Sequence, residues 1–113
     1  MQLERRRVDR ERRQSRRICA VFAVKNTIGS RIQLGQAEDI APTGMTLRRP
    51  KDVPVLPLTP LDLRFALPGV RETIAVSALV VSDCRSGPFR RTGIRFTFIA
   101  PEHAALIARY CSR

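Results

Sequence analysis

From residue 18 onward, apolar residues recur at every second position, in short runs broken by turn-forming residues. Ile18 to Lys25 is rich in Val, Phe and Ala and reads as a strand, with Asn26-Thr27-Ile28-Gly29 as a hairpin turn after it. Arg31 to Gln36 alternates Ile32 and Leu34 with polar residues, the pattern of a half-buried strand. Pro42 and Gly44 interrupt the chain within Asp39 to Gly44, and Met45 to Arg48 is a brief third strand. Leu61 to Leu67 sets Leu61, Leu63, Phe65 and Leu67 against Asp62, Arg64 and Ala66. Thr73 to Ser82 places Ile74, Val76, Ala78 and Val80 on one face. After the turn Ser86-Gly87-Pro88, Arg91 to Ile99 places Ile94, Phe96 and Phe98 on one side. Six short strands separated by turn signals predict a small antiparallel β-barrel.

Both ends break this rhythm. Pro101 suits a first helical turn, and Ala104 to Tyr110 favour helix, with Leu106, Ile107, Tyr110 and Cys111 as one apolar stripe. Residues 1–17 carry dense charge and few apolar groups, so they are expected to form a mobile basic arm beside a barrel-and-helix domain over 18–113. Between strands, Pro54, Pro57 and Pro60 recur every third residue; this reads as a stiff loop across the barrel surface rather than a polyproline ligand.

At 113 residues and 43% hydrophobic content the chain is sized for one core. Its net charge is +11, and only Lys25 and Lys51 are lysines. Eight of the nineteen arginines fall in the first seventeen residues. Guanidinium groups stay charged, fork onto phosphate oxygens and stack on bases, so the arm is suited to a phosphate-bearing partner. Cys19, Cys84 and Cys111 form no paired motif and read as core fillers, and His103 reads as a surface residue. No metal-ligand spacing, glycine-rich phosphate loop or catalytic set is present, so neither a metal, a cofactor nor an enzymatic activity is expected. The longest apolar run, Ile18 to Val24, is far short of a membrane span, and with no secretory signal and an odd cysteine count a cytoplasmic location is expected.

Two motifs stand about 25 residues apart. Arg13-x-x-x-Arg17, preceded by Arg12, ends the arm; Asp39-Ile40-Ala41-Pro42-Thr43-Gly44 follows the second strand. With Gly93-Ile94-Arg95-Phe96 leading into a terminal helix, the chain resembles the PilZ family of cyclic di-GMP receptors from Glu11 to Tyr110. The family signatures are R-x-x-x-R followed by [D/N]-x-S-x-x-G. The resemblance implies that Arg12, Arg13, Arg17, Asp39, Ala41 and Gly44 form the ligand site, with Arg13 and Arg17 on phosphate and guanine. It also implies that Arg12, just before the pair, favours a stacked ligand dimer. The residue chemistry agrees: an arginine fork matches guanine O6 and N7, and the Asp39 carboxylate can accept from guanine N1–H and N2–H. Gly44 is expected to take a positive φ and let the backbone approach the ligand. Ala41 departs from the family serine and lacks one hydroxyl contact, typically worth about 0.5–1.5 kcal/mol.

The expected function is a bacterial receptor or adaptor whose arm closes over the barrel when ligand binds, signalling to an unidentified protein effector without membrane insertion. Two alternatives remain: a PilZ-like interaction module that has lost nucleotide binding, and a small barrel binding single-stranded nucleic acid. The second is disfavoured because stacking platforms need outward aromatics, whereas most of Phe22, Phe65, Phe89, Phe96, Phe98 and Tyr110 occupy inward-reading positions. Arg95 is expected to point outward.

Overall fold

The computed structural model describes residues 17–112, so the predicted arm apart from Arg17, with Arg12 and Arg13, lies outside the described residues. Six strands and one helix follow in order: β1 (Ile18–Ile28), β2 (Arg31–Ala41), β3 (Gly44–Pro50), β4 (Pro60–Phe65), β5 (Ile74–Ser86), β6 (Phe89–Ile99) and α1 (Pro101–Cys111). All neighbours are antiparallel, and the strands close into a barrel in the order β1-β2-β3-β6-β5-β4. Short β4 completes the wall by pairing with both β1 and β5. Closure removes free sheet edges, which suits a chain with so many alternating strands.

The hairpins show why the strands meet where they do. Gly87 has φ 62° and precedes Pro88, whose ring holds φ negative, so β5 and β6 join through a tight turn whose twist matches the strands. The inward faces of all six strands supply the core, including Val24, Ile40, Leu47, Leu63, Val76 and Ile94. Ile107 and Cys111 of α1 are buried, while Leu106 and Tyr110 pack against the same core, so the predicted stripe docks the helix. The 51–59 connection is pinned to β5: Leu58 N donates to Val80 O (2.7 Å) and Val80 N to Thr59 O (3.0 Å).

Several expectations are corrected, and β-bulges account for the change of face in β6. One extra residue in a strand moves everything beyond it to the other face. Opposite β5, the register passes from Phe96↔Ala78 to Phe98↔Ser77, leaving Thr97 as the extra residue. Phe98 is therefore turned outward and is 68% exposed, while Ile99 packs on the core in its place. A second bulge at Val81 lets Val80 pair with Ile94 and Asp83 with Thr92. Asn26, expected in a turn, lies within β1 and is fully buried. Its inward phase passes across the register to Gln33 and Gly35, so Ile32 and Leu34 face outward at 61% and 73% exposure. Asp39 is in strand β2, which runs unbroken to Ala41. Of the cysteines only Cys111 is buried; Cys19 and Cys84 are exposed. His103 is not mere surface decoration: its Nδ1 accepts from Ala75 N (3.3 Å).

Candidate functional site

The second motif begins with Asp39 on the outer wall beside the start of β1, and a bulge places that carboxylate there. Cys19↔Asp39 and Phe22↔Ala37 register β2 on β1, while Ala37↔Leu47 and Asp39↔Thr46 register it on β3. Glu38 is thus the irregular position on β2. Ala37 and Ile40 on either side are buried, and Glu38 and Asp39 both reach the outer wall as adjacent carboxylates.

Each carboxylate organises arginines. Arg17 Nη1 donates to Asp39 Oδ1 at 2.7 Å and approaches the Thr46 hydroxyl at 3.5 Å. The same Asp39 oxygen accepts from Thr46 N (3.1 Å), which orients the carboxylate before any ligand arrives. Glu38 Oε1 accepts from Arg48 Nε (2.6 Å), and its two oxygens take the Arg91 fork at 3.3 and 3.0 Å. The Arg48 contact leads in holding the Glu38 carboxyl below its ordinary range, against a smaller upward push from burial and with help from Arg91. The Arg48 guanidinium also stacks over the Phe89 ring, 4.4 Å from its centroid.

Of the six residues singled out by motif, the structure brings Arg17 and Asp39 into direct contact. Arg12 and Arg13 lie outside the described residues. Ala41 and Gly44 pair with each other across the β2–β3 turn, and both are buried. The expectation for Gly44 is corrected: among the described residues the positive-φ positions are Gly29, Leu58, Gly69 and Gly87. Gly44 is needed instead because a Cβ there would run into the Ile94 carbonyl of β6. Arg95, its register partner on β6, is exposed as expected. The Glu38–Arg48–Arg91 cluster was missed. Its only trace in the sequence is the pair of dipeptides Arg48-Arg49 and Arg90-Arg91, which face each other only once β3 and β6 are in register. Among the described residues no cluster of three or more metal-binding side chains occurs, and no helix is long and apolar enough to cross a membrane.

Comparison with solved structures shows where this barrel recurs. The Bacillus subtilis inhibitor of motility (MotI/DgrA) matches with a TM-score of 0.81 at 19% identity, covering 88% of this chain and 49% of that one. The chain therefore spans about half the length of that relative. The PilZ domain of Escherichia coli YcgR, solved with c-di-GMP, matches with a TM-score of 0.69 at 15% identity, covering 89% of each chain. The PilZ domain of CeSA from a cellulose-synthesizing bacterium matches with a TM-score of 0.66 at 22% identity, covering 87% and 96%. No curated protein matches in sequence. The family model described as PilZ domain matches residues 11–113, a span that includes both motifs and every strand, and the chain belongs to the PilZ domain family.

Proposed function

We propose that this chain is a cyclic di-GMP receptor that binds the dinucleotide between Arg12, Arg13 and Arg17 and the outer wall at Asp39, and signals through protein contacts. The observation that carries the reading is the Arg17–Asp39 contact of 2.7 Å, with Asp39 held in place by Thr46 N. It sets a cation and an acceptor side by side, the combination that a guanine bearing a neighbouring phosphate requires. The c-di-GMP bound to the YcgR PilZ domain supports the choice of ligand.

In this reading Arg13 and Arg17 take phosphate and guanine, and Arg12 adds the cation that favours a stacked ligand dimer. Asp39 accepts from the guanine N1–H and N2–H edge. Ligand bridging fixes the segment before β1 against the wall and changes the surface offered to a protein effector. The role is that of a receptor or adaptor rather than an enzyme. Ala41 is buried and brings no hydroxyl, which favours as second reading an interaction module without nucleotide.

Titration calorimetry with cyclic di-GMP decides between them. The receptor reading expects wild-type affinity in the micromolar range, weakened by at least about tenfold in Arg13→Ala/Arg17→Ala and in Asp39→Ala. Absence of heat from the wild type at millimolar nucleotide would overturn the receptor reading and favour the module without nucleotide.

A further inference from the structure

A second outer-wall feature lies away from Asp39. One row of outward residues runs from Ile32 through Thr27, Asp62 and Ser77 to Phe98, crossing five strands in register. Over it opens a groove of about 530 Å³ between the barrel and the start of α1. Thr27 is eight residues along β1 from Cys19, the partner of Asp39, or about 26 Å of strand.

We infer that this groove is a docking site for an acidic segment of a partner protein carrying an apolar anchor. Three observations support it. First, Lys25 and Arg64 are directly opposed across β1 and β4, and neither has an ion-pair partner among the described residues. Like charges in that position repel, so the pair gains from an anion laid between them. Asp62, which lines the same groove and accepts from the Ser77 hydroxyl at 3.1 Å, makes no ion pair with either and offsets one of the two positive charges, leaving the groove cationic by one. Second, His103 lines the groove, and its Nδ1 accepts from Ala75 N, so the ring's remaining nitrogen, Nε2, is the one left to donate. Third, the banks are apolar: Phe98 is pushed out by the Thr97 bulge, and Ile32 stands opposite. An exposed aromatic beside unpaired cations suits an anchor residue flanked by carboxylates.

The chain's own segments fit poorly. Residues 1–17 hold eight arginines, which a cationic groove repels. A second copy would bring a net charge of +11 and no run of acidic residues. Nucleic acid usually needs a longer train of phosphate contacts than Lys25, Arg64 and a histidine donor provide.

The test is an amide chemical-shift titration of the full chain with the synthetic peptide acetyl-Asp-Glu-Leu-Phe-Glu-Asp-amide. Saturable shifts centred on Lys25, Thr27, Arg64, Ala75 and Phe98 are expected. Lys25→Glu/Arg64→Glu and, separately, Phe98→Ser should each weaken binding about tenfold, with cyclic di-GMP titration unchanged. Phe98→Ser, at an exposed position, keeps the result readable if the charge reversal unfolds the barrel. The inference is overturned by the absence of saturable shifts, by equal shifts from hexaglutamate lacking anchors, or by stronger shifts at the same amides from oligo-thymidylate. Because nucleotide binding is read in parallel, failure here is distinguishable from failure of the receptor reading.

Discussion

Asp83 is the acid around which one end of the barrel is organised. Its side chain is 2% exposed, and the Arg49 side chain 3.6 Å away is fully buried. Thr92 Oγ1 donates to one carboxylate oxygen (2.7 Å), while Arg90 Nε (2.7 Å) and Val55 N (3.1 Å) donate to the other. Burial pushes the Asp83 carboxyl upward, but these donors together hold it below its ordinary value of 3.8. A depressed folded pKa contributes stability above the unfolded value and loses it as pH falls through the folded one. Asp83→Ala also leaves Arg49 buried beside Arg90 without its counter-charge. We therefore expect a loss of roughly 3–5 kcal/mol in urea unfolding at pH 7. The gap between wild type and variant should shrink below about pH 4 as the wild-type carboxyl protonates. A gap that stays constant down to pH 2 would mean that Asp83 acts by shape and not by charge. Nothing in the local sequence marked this residue, because the Val81 bulge is what pairs it with buried Thr92.

At the scale of elements, the bulges decide which side chains the molecule shows. Phe96 and Phe98 are two apart in β6, and strict alternation would put them on one face. The extra residue Thr97 separates them: Phe96 packs against the core and Phe98 stands in solvent. Phe96→Ser should accordingly cost about 2–4 kcal/mol, and Phe98→Ser should stay within about 0.5 kcal/mol, by thermal or chemical unfolding. Equal losses would place both rings in the core and remove the bulge from the account. The same device on β2 turns Glu38 and Asp39 outward together, so the carboxylate pair that gathers Arg17, Arg48 and Arg91 depends on one irregular position. Gly44 acts at this scale too, since it lets β3 close on the Ile94 carbonyl of β6.

For the whole molecule, the dominant quantity is a net charge of +11. Raising salt from about 0.1 M to about 1 M shortens the screening length from ~10 Å to ~3 Å. Cyclic di-GMP binding should weaken several-fold over that range if arginines 12, 13 and 17 meet the phosphates. Flat affinity in a salt-series titration would confine recognition to the base edge at Asp39. The outer wall carries two distinct electrostatic surfaces: arginines gathered by acids around Glu38 and Asp39, and the unpaired Lys25–Arg64 pair in the groove. If both proposals hold, nucleotide and partner would not compete for the same side chains.

The amino-acid sequence by itself determined the number of strands, the terminal helix, the barrel and the family. These follow from period-two alternation, turn residues and two spaced motifs, all of which are local along the chain. The tertiary structure alone decided how far β1 runs, and hence the burial of Asn26, and which face residues take beyond a bulge, and hence the burial of the Asp83 side chain and the exposure of Phe98. It also decided the partners of Glu38, the true reason for Gly44, and the groove between Lys25 and Phe98. Register between strands far apart in the chain is set by how the barrel closes, and a one-residue irregularity in that closure leaves no local signature.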